Sequence, residues 1–252
     1  MAGMTDIVAS RREAVMAIGI NRPQKRNALT QEMYALMAAH LSEAEGDDSI
    51  RAVIFHGQPD VFTAGNDLED FAQRPPHDGD TPVFRFLSAV SKATKPLVAA
   101  VTGPAVGIGT TLLLHCDLVY AGENTRFAMP FTQLGLVPEF ASSYLLPLVA
   151  GYQRAAELLL LGEPFDARKA HEAGFVTRIV PDAEAIPTAW REAARLAALP
   201  PKSVRVTKSL MKSRHAEAVA AQMAAEGEHF RLMLTEPAAR AAFAAFLAKR
   251  KA

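Results

Sequence analysis

Three short runs of apolar residues stand out in the first half of the chain. They are Arg51–Phe55 (RAVIF), Leu97–Val101 (LVAAV) and Asp117–Ala121 (DLVYA). A run that is apolar at nearly every position, rather than at alternate ones, is typical of a strand buried on both faces of a sheet. Two further strands are predicted near the N-terminus, over Ile7–Ser10 and Ala14–Ile20.

Helical patterns lie between these strands. Thr30 is predicted to cap a helix that runs to about Ala44, because apolar residues then recur at helical spacing. Further helices are predicted over Asp67–Gln73, Val83–Lys92 and Gly107–His115. Strands that alternate with helices predict crossover connections and a mostly parallel sheet.

The chain changes character after about Gly162, where the strand patterns nearly vanish. The helices predicted from there onwards are Ala167–Ala173, Asp182–Ala198, Pro201–Lys212, His215–Leu234 and Pro237–Lys249. A helical final third rich in Ala, Leu and Met suits packing against neighbouring subunits. We therefore predict a core region over residues 1–197 and a helical oligomerisation region over residues 198–252.

Composition narrows the classes of function. The chain has 252 residues, half of them apolar, which is enough for a sizeable core. Lys+Arg 27 against Asp+Glu 27 gives no net charge, which argues against nucleic acid as a partner. A single cysteine, Cys116, excludes a disulfide framework and indicates a reducing compartment. No uninterrupted apolar run approaches about 18 residues and no signal-peptide pattern is present, so we expect a cytoplasmic protein without membrane association.

Two glycine-marked loops each lead into a predicted helix. In Phe62–Leu68 (FTAGNDL), Gly65 can adopt a positive φ and leave the N–H of Asn66 unpaired at a helix start. In Gly103–Thr111 (GPAVGIGTT), a helix begins near Ile108 without either nucleotide-binding glycine motif. Each loop alone is equally well explained by a tight turn or by close helix–sheet packing. Together they can direct two backbone N–H groups at one point, where an enolate oxygen could be stabilised.

A carboxylate downstream could supply the base. Glu139 lies between Pro138 and Phe140, and apolar surroundings raise the pKa of a carboxyl group, as a base working at neutral pH requires. The alternative is an exposed glutamate that begins a helix, with Ser142 and Ser143 as ordinary capping residues.

Other polar residues give weaker signals. His115, Cys116 and Asp117 are consecutive at a helix-to-strand junction, so they cannot all face one metal ion. The remaining histidines lack metal-ligand spacing, and no metal site is predicted. Ser142 and Ser143 have no evident histidine partner, so a nucleophilic serine is not expected.

The order of the motifs resembles the crotonase, or enoyl-CoA hydratase/isomerase, superfamily. The resemblance rests on N-R-P…N-A-L, F-T-A-G-N-D-L, G-P-A-V-G-I-G, C-D-L-V-Y-A, M-P-F-T-Q-L-G-L-V-P-E and A-G-F-V, and it spans nearly the whole chain. It implies an α/β fold, a crotonase-like spiral of repeated β-β-α units with a C-terminal helical trimerisation region. It also implies an acyl-CoA thioester substrate whose oxygen is held by two backbone N–H groups.

Carried over residue by residue, the resemblance assigns the two N–H donors to Asn66 and Ile108. Ile108 stands where the family usually has glycine, a change that keeps the backbone donor. The coenzyme A contacts that the resemblance implies are Ala64, Asp67 and Leu68 near the adenine, Lys25 or Arg26 near the phosphates, and Phe246 and Lys249 from the last helix of the same or a neighbouring subunit.

Departures from the family pattern suggest which reaction to expect. Family hydratases carry two catalytic glutamates, at the positions of Thr111 and Phe131 here, so efficient hydration is not expected. Glu139 stands where the peroxisomal-type Δ3,Δ2-enoyl-CoA isomerases carry their base, in a similar P-F-x-x-L-G-L-x-P-E segment. The resemblance therefore implies movement of the double bond of 3-enoyl-CoA to give 2-enoyl-CoA, with Glu139 as the proton carrier and no metal or redox cofactor. Phe140 departs from the small residue, commonly Gly, that is expected after the base.

Three hypotheses remain open at this point. The leading one is the isomerase, acting in β-oxidation; the others are a different crotonase-type enzyme, such as a hydratase with relocated acid–base groups, and a non-catalytic acyl-CoA-binding protein. A homotrimer or a hexamer made of two trimers is expected. The sequence leaves open the acyl-chain length and the choice between fatty-acid and aromatic-compound breakdown.

Overall fold

The computed structural model describes residues 5–74 and 81–249, apart from the side chains of residues 72 and 246–249. Within these residues the strands form two sheets. The strands are β1 (Ile7–Arg12), β2 (Val15–Ile20), β3 (Ala52–His56), β4 (Leu97–Val101), β5 (Pro104–Val106), β6 (Leu118–Gly122), β7 (Arg126–Ala128), β8 (Phe165–Asp166) and β9 (Arg178–Val180).

The α-helices are α1 (Gln31–Gly46), α2 (Leu68–Gln73), α3 (Pro82–Lys92), α4 (Ile108–Thr111), α5 (Ser142–Ala150), α6 (Tyr152–Ala156), α7 (Ala167–Glu172), α8 (Ala185–Ala198), α9 (Pro201–Met233) and α10 (Pro237–Lys249). Short 3-10 turns cover Pro23–Lys25, Leu112–His115, Thr132–Leu134 and Asp182–Glu184, and a π-helical turn covers Glu157–Leu161. As predicted, Thr30 caps α1: its side chain accepts a hydrogen bond from the N–H of Met33.

The larger sheet has the strand order β1-β2-β3-β4-β6-β9. Only the β1–β2 pair is antiparallel, and every other neighbouring pair is parallel. Strand β4 is buried at each of its residues, because side chains such as Leu97 enter the core on one face while side chains such as Val98 pack with α8 residues on the other. The prediction of an α/β fold with a mostly parallel sheet is confirmed.

A small second sheet, β5-β7-β8, carries the second glycine loop. The sequence analysis missed β5, β7, β8 and β9. These strands have only two or three residues each, too few for a hydrophobic period to show. The prediction that strands nearly vanish after Gly162 is therefore corrected by β8 and β9.

The longest helix corrects another prediction. Pro201–Lys212 and His215–Leu234 were expected as two helices, but α9 runs without a break from Pro201 to Met233. The intervening Ser213 and Arg214 are exposed on the helix surface, and neither residue type interrupts a helix as Pro would. The division of the chain at residues 197 and 198 stays a prediction. None of the helices in the described ranges has both the length and the apolar composition needed to cross a membrane.

Replacement of Gly103 by alanine is expected to destabilise the fold. Gly103 has φ +62°, and a Cβ atom there would lie 1.9 Å from the carbonyl oxygen of Asp60. Backbone strain and the clash with a carbonyl together should lower the free energy of unfolding by about 2 kcal/mol or more, measured by urea denaturation. Gly46→Ala is the matched control, because a Cβ at the end of α1 meets nothing within 4 Å and alanine favours a helix. Equal stability of the two variants would contradict this account.

Candidate active site

The first glycine loop is held tightly by backbone hydrogen bonds. The N–H of Ala64 donates to the carbonyl of Arg26 (3.0 Å), and the N–H of Asp67 donates to that of Leu29 (2.8 Å). Gly65 has φ +89°, and a Cβ there would come within 2.9 Å of the Val106 carbonyl oxygen. The N–H of Asn66, between these anchored residues, has no acceptor among the residues that the structure describes.

The second loop lies alongside the first. Thr63 pairs with Ala105 in a parallel bridge, and the N–H of Val106 donates to the carbonyl of Thr63 (3.0 Å). Gly107, at φ 57° and ψ −117°, then turns the chain into α4. Ile108 is the first residue of α4, so its N–H lacks an intrahelical acceptor, and within residues 5–74 and 81–249 it finds no other. Asn66 comes three residues after Thr63, and Ile108 comes three residues after Ala105. Their N–H groups therefore lie at the ends of two adjacent parallel segments.

Glu139 is bound to the end of α4, the short helix that begins at the second donor. The hydroxyl of Thr111, fully buried on α4, donates to Glu139 Oε1 at 2.5 Å. Loss of solvation raises the pKa of Glu139 to about 8. The Thr111 hydrogen bond lowers this pKa, and the negative charge of Glu226 raises it by a smaller amount. The residue as a whole remains partly exposed. The prediction that apolar surroundings raise this pKa agrees with the structure.

Tyr34 on α1 joins this site, and the sequence analysis did not select it. Its hydroxyl donates to Asn66 Oδ1 at 2.5 Å, and its side chain is 1% exposed. Burial raises the pKa of Tyr34 well above its usual value, and the nearby charge of Glu139 adds to the shift. A tyrosine on the buried face of a helix needs a hydrogen-bond partner, and that was the available signal.

Phe140 packs against His115. Its ring is 1% exposed and stacks on the His115 ring at 3.9 Å between centroids. Burial lowers the pKa of His115 to about 3, so its neutral ring donates from Nε2 to the Phe140 carbonyl at 2.8 Å. Phe140 and Ala141 both have positive φ, 63° and 54°. The ring that departs from the family pattern therefore anchors the segment that follows Glu139.

Glu226 on α9 is a second residue that the sequence analysis missed. Its carboxylate accepts from the N–H of Ala141 at 2.6 Å and from the N–H of Ser143 at 3.0 Å, and also from the Ser143 hydroxyl. Ser142 donates through its hydroxyl to the Glu139 carbonyl at 2.6 Å. The start of α5 is thus capped by a side chain of α9. This capping fixes the backbone of Glu139.

The structure brings some of the predicted coenzyme A residues together. The Arg26 carbonyl accepts from the N–H of Ala64, so the two lie side by side. Lys25 forms an ion pair with Glu69 (3.5 Å) near the start of α2, and Leu68 is the first residue of that helix.

Asp67 is different, because its carboxylate is already engaged. It is 4% exposed, pairs with Arg22 at 2.7 Å and caps α2 by accepting from the N–H of Glu69. The side chains of Phe246 and Lys249 lie outside the described residues. The coenzyme A assignments all stay predictions.

The predicted absence of a metal site concerns His115, Cys116 and Asp117 in particular. Asp117 accepts from the N–H of Leu97 and from Lys208 Nζ, both at 2.7 Å, and His115 is held by Phe140. In the described part of the chain, no three His, Cys, Asp or Glu side chains come together in a way that could hold a metal ion.

Comparison with known proteins places this geometry in context. A sequence model described as Enoyl-CoA hydratase/isomerase matches residues 10–252. Enoyl-CoA delta isomerase 2 of Rattus norvegicus is 36% identical over 217 residues, which cover 84% of this chain and 55% of that protein. The 1,2-epoxyphenylacetyl-CoA isomerase of Escherichia coli (strain K12) is 35% identical over 254 residues, 98% of this chain and 97% of that protein. The solved structure of OdaA from Pseudomonas aeruginosa superposes with a TM-score of 0.94 at 44% identity, and the match covers 96% of this chain and 99% of that one.

These findings confirm the fold class, including its sheets and long C-terminal helix. The chain spans about half the length of the rat relative, so that protein's whole activity is not transferred by the match alone.

Glu139→Gln is expected to stabilise the protein at alkaline pH. The pKa of Glu139 is raised to about 8 in the folded state, above its ordinary value of 4.5. In the folded protein Glu139 keeps its proton up to about pH 8, whereas in the unfolded chain it ionises above its ordinary pKa of 4.5. The folded state therefore loses stability as the pH rises from 4.5 towards 8. The variant should therefore gain about 2–4 kcal/mol in free energy of unfolding at pH 9 and much less at pH 5, measured by denaturant titration. A difference that does not change with pH would show that Glu139 is not perturbed.

Proposed function

Because the chain belongs to the enoyl-CoA hydratase/isomerase family, we propose that it is an isomerase that converts 3-enoyl-CoA thioesters to 2-enoyl-CoA thioesters. The observation that carries the proposal is the desolvated carboxylate of Glu139. It is held by Thr111 one turn from the N–H of Ile108. One carboxylate beside two N–H donors is sufficient for a proton shift between two carbons of one substrate.

In the proposed reaction, Glu139 takes a proton from C2 of the 3-enoyl thioester. The electron pair left behind delocalises into a dienolate, whose negative oxygen accepts hydrogen bonds from the N–H groups of Asn66 and Ile108. Each such donor is worth about 3 kcal/mol in comparable sites. Glu139 then returns the proton at C4, which moves the double bond to C2–C3. The chemistry is a proton transfer throughout and requires no metal or redox cofactor.

The pKa of Glu139 suits this role. A group with a pKa of about 8 is a stronger base than an ordinary carboxylate and is still partly ionised near neutral pH. Thr111 keeps one oxygen in place, and Oε2 has no partner among the described residues. Tyr34 holds the side chain of Asn66, which helps to fix the first donor.

Hydration is the alternative within the family. It needs one group to activate water and usually a second to handle the C2 proton. The positions at which family hydratases carry glutamates are taken by Thr111, which donates to Glu139, and by Phe131, which is buried. Neither side chain can act as a base, and this favours the isomerase.

A second isomerase substrate is favoured by the Escherichia coli relative. That protein matches over 97% of its own length, whereas the rat delta isomerase matches over 55%. The name of that protein gives 1,2-epoxyphenylacetyl-CoA as its substrate. A ring-derived coenzyme A ester is therefore the second candidate substrate.

The proposal includes the coenzyme A contacts of Lys25, Arg26, Ala64, Leu68, Phe246 and Lys249, and of Asp67 through atoms other than its engaged carboxylate. It also includes a homotrimer, or two trimers, in the cytoplasm. Apolar side chains that α5, α6 and the following π-helical turn leave exposed, such as Leu148, Tyr152 and Leu160, would suit subunit packing.

Glu139→Gln should abolish most of the isomerisation. The amide cannot accept the C2 proton, so turnover of a 3-enoyl-CoA, followed as 2-enoyl-CoA formation by its ultraviolet absorbance, should fall about 10²–10⁴-fold. Glu217→Gln is the matched control, because Glu217 is exposed on α9 and should leave turnover unchanged. The same preparations are assayed with 2-enoyl-CoA and with 1,2-epoxyphenylacetyl-CoA. Hydration that persists in Glu139→Gln would contradict the isomerase, and binding without turnover would point to a non-catalytic protein.

The pH dependence of kcat/KM tests the role of Glu226. Since the base must be ionised, kcat/KM should rise with pH and level off above about 8. Glu226→Gln removes a negative charge that raises the pKa of Glu139, so the rising limb should move to lower pH. Glu228→Gln, two residues along the same helix on its exposed side, should leave the limb in place. If the rising limb of kcat/KM lies at the same pH in Glu226→Gln as in the wild type, the role of Glu226 is purely structural.

A further inference from the structure

Two threonines stand side by side on the short helix α4, and their hydroxyl groups have different partners. Thr110 is 1% exposed, and its hydroxyl donates to the carbonyl oxygen of Ala105 at 2.6 Å and lies 3.3 Å from that of Ala128. Thr111 is 0% exposed, and its hydroxyl donates to Oε1 of Glu139 at 2.5 Å. The first hydroxyl therefore binds the backbone, whereas the second binds the carboxylate of the proposed base.

The backbone of Thr111 is also held by hydrogen bonds. Its N–H donates to the carbonyl of Gly107 at 3.0 Å, which closes the single turn that begins at Ile108. The N–H of Gly107 donates in turn to the carbonyl of Ala128 at 2.8 Å, which ties the turn to β7. A β-branched side chain such as threonine has few allowed rotamers. The hydroxyl of Thr111 is therefore fixed relative to the N–H of Ile108.

The proposed reaction requires a fixed relation between the base and the N–H donors. In an acyl thioester, C2 and the carbonyl oxygen are both bonded to C1, so covalent geometry sets their separation. The proton acceptor and the donors must match that separation, and a misplacement of about 1 Å can slow a reaction about 10²-fold. Thr111 holds Oε1 of Glu139, while Oε2 has no partner among the described residues. The oxygen that is free to take the proton is therefore Oε2.

We propose that Thr111 is a positioning residue of the isomerase: its hydroxyl anchors Oε1 of Glu139 and leaves Oε2 to carry the proton. The inference rests on the proposed function. The C2–H bond breaks as the Oε2–H bond forms, and the Oε2–H bond breaks as the C4–H bond forms. The carboxylate is thereby regenerated, and the substrate neither gains nor loses atoms. Thr111 takes no proton itself and acts only by holding Glu139 at a fixed position relative to the N–H of Ile108.

The same hydrogen bond affects the ionisation of the base. Burial raises the pKa of Glu139 to about 8, and the hydroxyl of Thr111 opposes this rise because it stabilises the charged carboxylate. Two titratable groups on other elements interact electrostatically with Glu139. The negative charge of Glu226 on α9 raises the pKa of Glu139, and the pKa of Tyr34 on α1 is raised by burial and then by the charge of Glu139. Loss of the Thr111 hydroxyl should therefore raise the pKa of Glu139 further.

Thr111→Val tests the proposal, because valine keeps the shape and branching of threonine and removes the hydroxyl. Turnover of a 3-enoyl-CoA by the variant and the wild type is compared at a pH on the plateau of both pH profiles, where the base is ionised in each. We expect kcat to fall about 10- to 100-fold with little change in KM, and the rising limb of kcat/KM to move to higher pH. Thr111→Ser restores a hydroxyl and should recover most of kcat.

Thr110→Val is the matched control, since it removes an adjacent buried hydroxyl that bonds the backbone and not the base. It should lower the free energy of unfolding and leave the rising limb of kcat/KM in place. A further measurement needs no substrate: NMR of protein labelled at the carboxyl carbons of glutamate, with the Glu139 signal assigned from Glu139→Gln, should give a higher pKa for Glu139 in Thr111→Val.

The outcomes separate this inference from the proposed function. A wild-type kcat and a wild-type pKa of Glu139 in Thr111→Val would overturn the positioning role and leave the isomerase standing. An equal shift of the rising limb in Thr110→Val would also overturn it, because the shift would then not depend on the hydrogen bond to Glu139. A wild type that does not turn over 3-enoyl-CoA would overturn the proposed function, and this inference with it.

Discussion

The site depends on the close parallel approach of two backbone segments. Thr63 and Ala105 pair as neighbouring strands do, and the N–H of Val106 donates to the Thr63 carbonyl. The approach is so tight at Gly65 and Gly103 that a Cβ atom would meet a carbonyl oxygen at 2.9 Å and 1.9 Å. This pairing occupies neighbouring backbone groups and leaves the N–H groups of Asn66 and Ile108 without an acceptor among the described residues.

The second constraint is the burial of a carboxylate beside those donors. Desolvation raises the pKa of Glu139, which disfavours its ionised form and lowers stability at alkaline pH. The surrounding chain offsets this through rigid contacts: His115 holds the Phe140 carbonyl, and Glu226 caps α5. A proposed base such as Glu139 needs a raised pKa, and the burial that raises it costs stability. Such a compromise between function and stability is common in proteins.

The long helix α9 connects these features. Through Glu226 it fixes the backbone after Glu139, and through Lys208 it reaches Asp117 at the start of β6. A helix that the sequence indicates only as a packing element therefore supports the backbone next to the proposed base.

The amino-acid sequence by itself determined the features that depend on neighbours a few residues away. These include the apolar runs of the central strands, the Thr30 cap, the turn at Gly65 and the apolar neighbours of Glu139. The tertiary structure alone decided the contacts between distant residues, such as Tyr34 with Asn66, 32 residues apart, and Glu226 with Ala141, 85 residues apart. No local period encodes such pairs, because they arise only when the packing register of α1, α5 and α9 is set by the whole core. The same holds for strands β5 and β7, which have three residues each and form a sheet through pairs of distant residues such as Ala105 with Phe127.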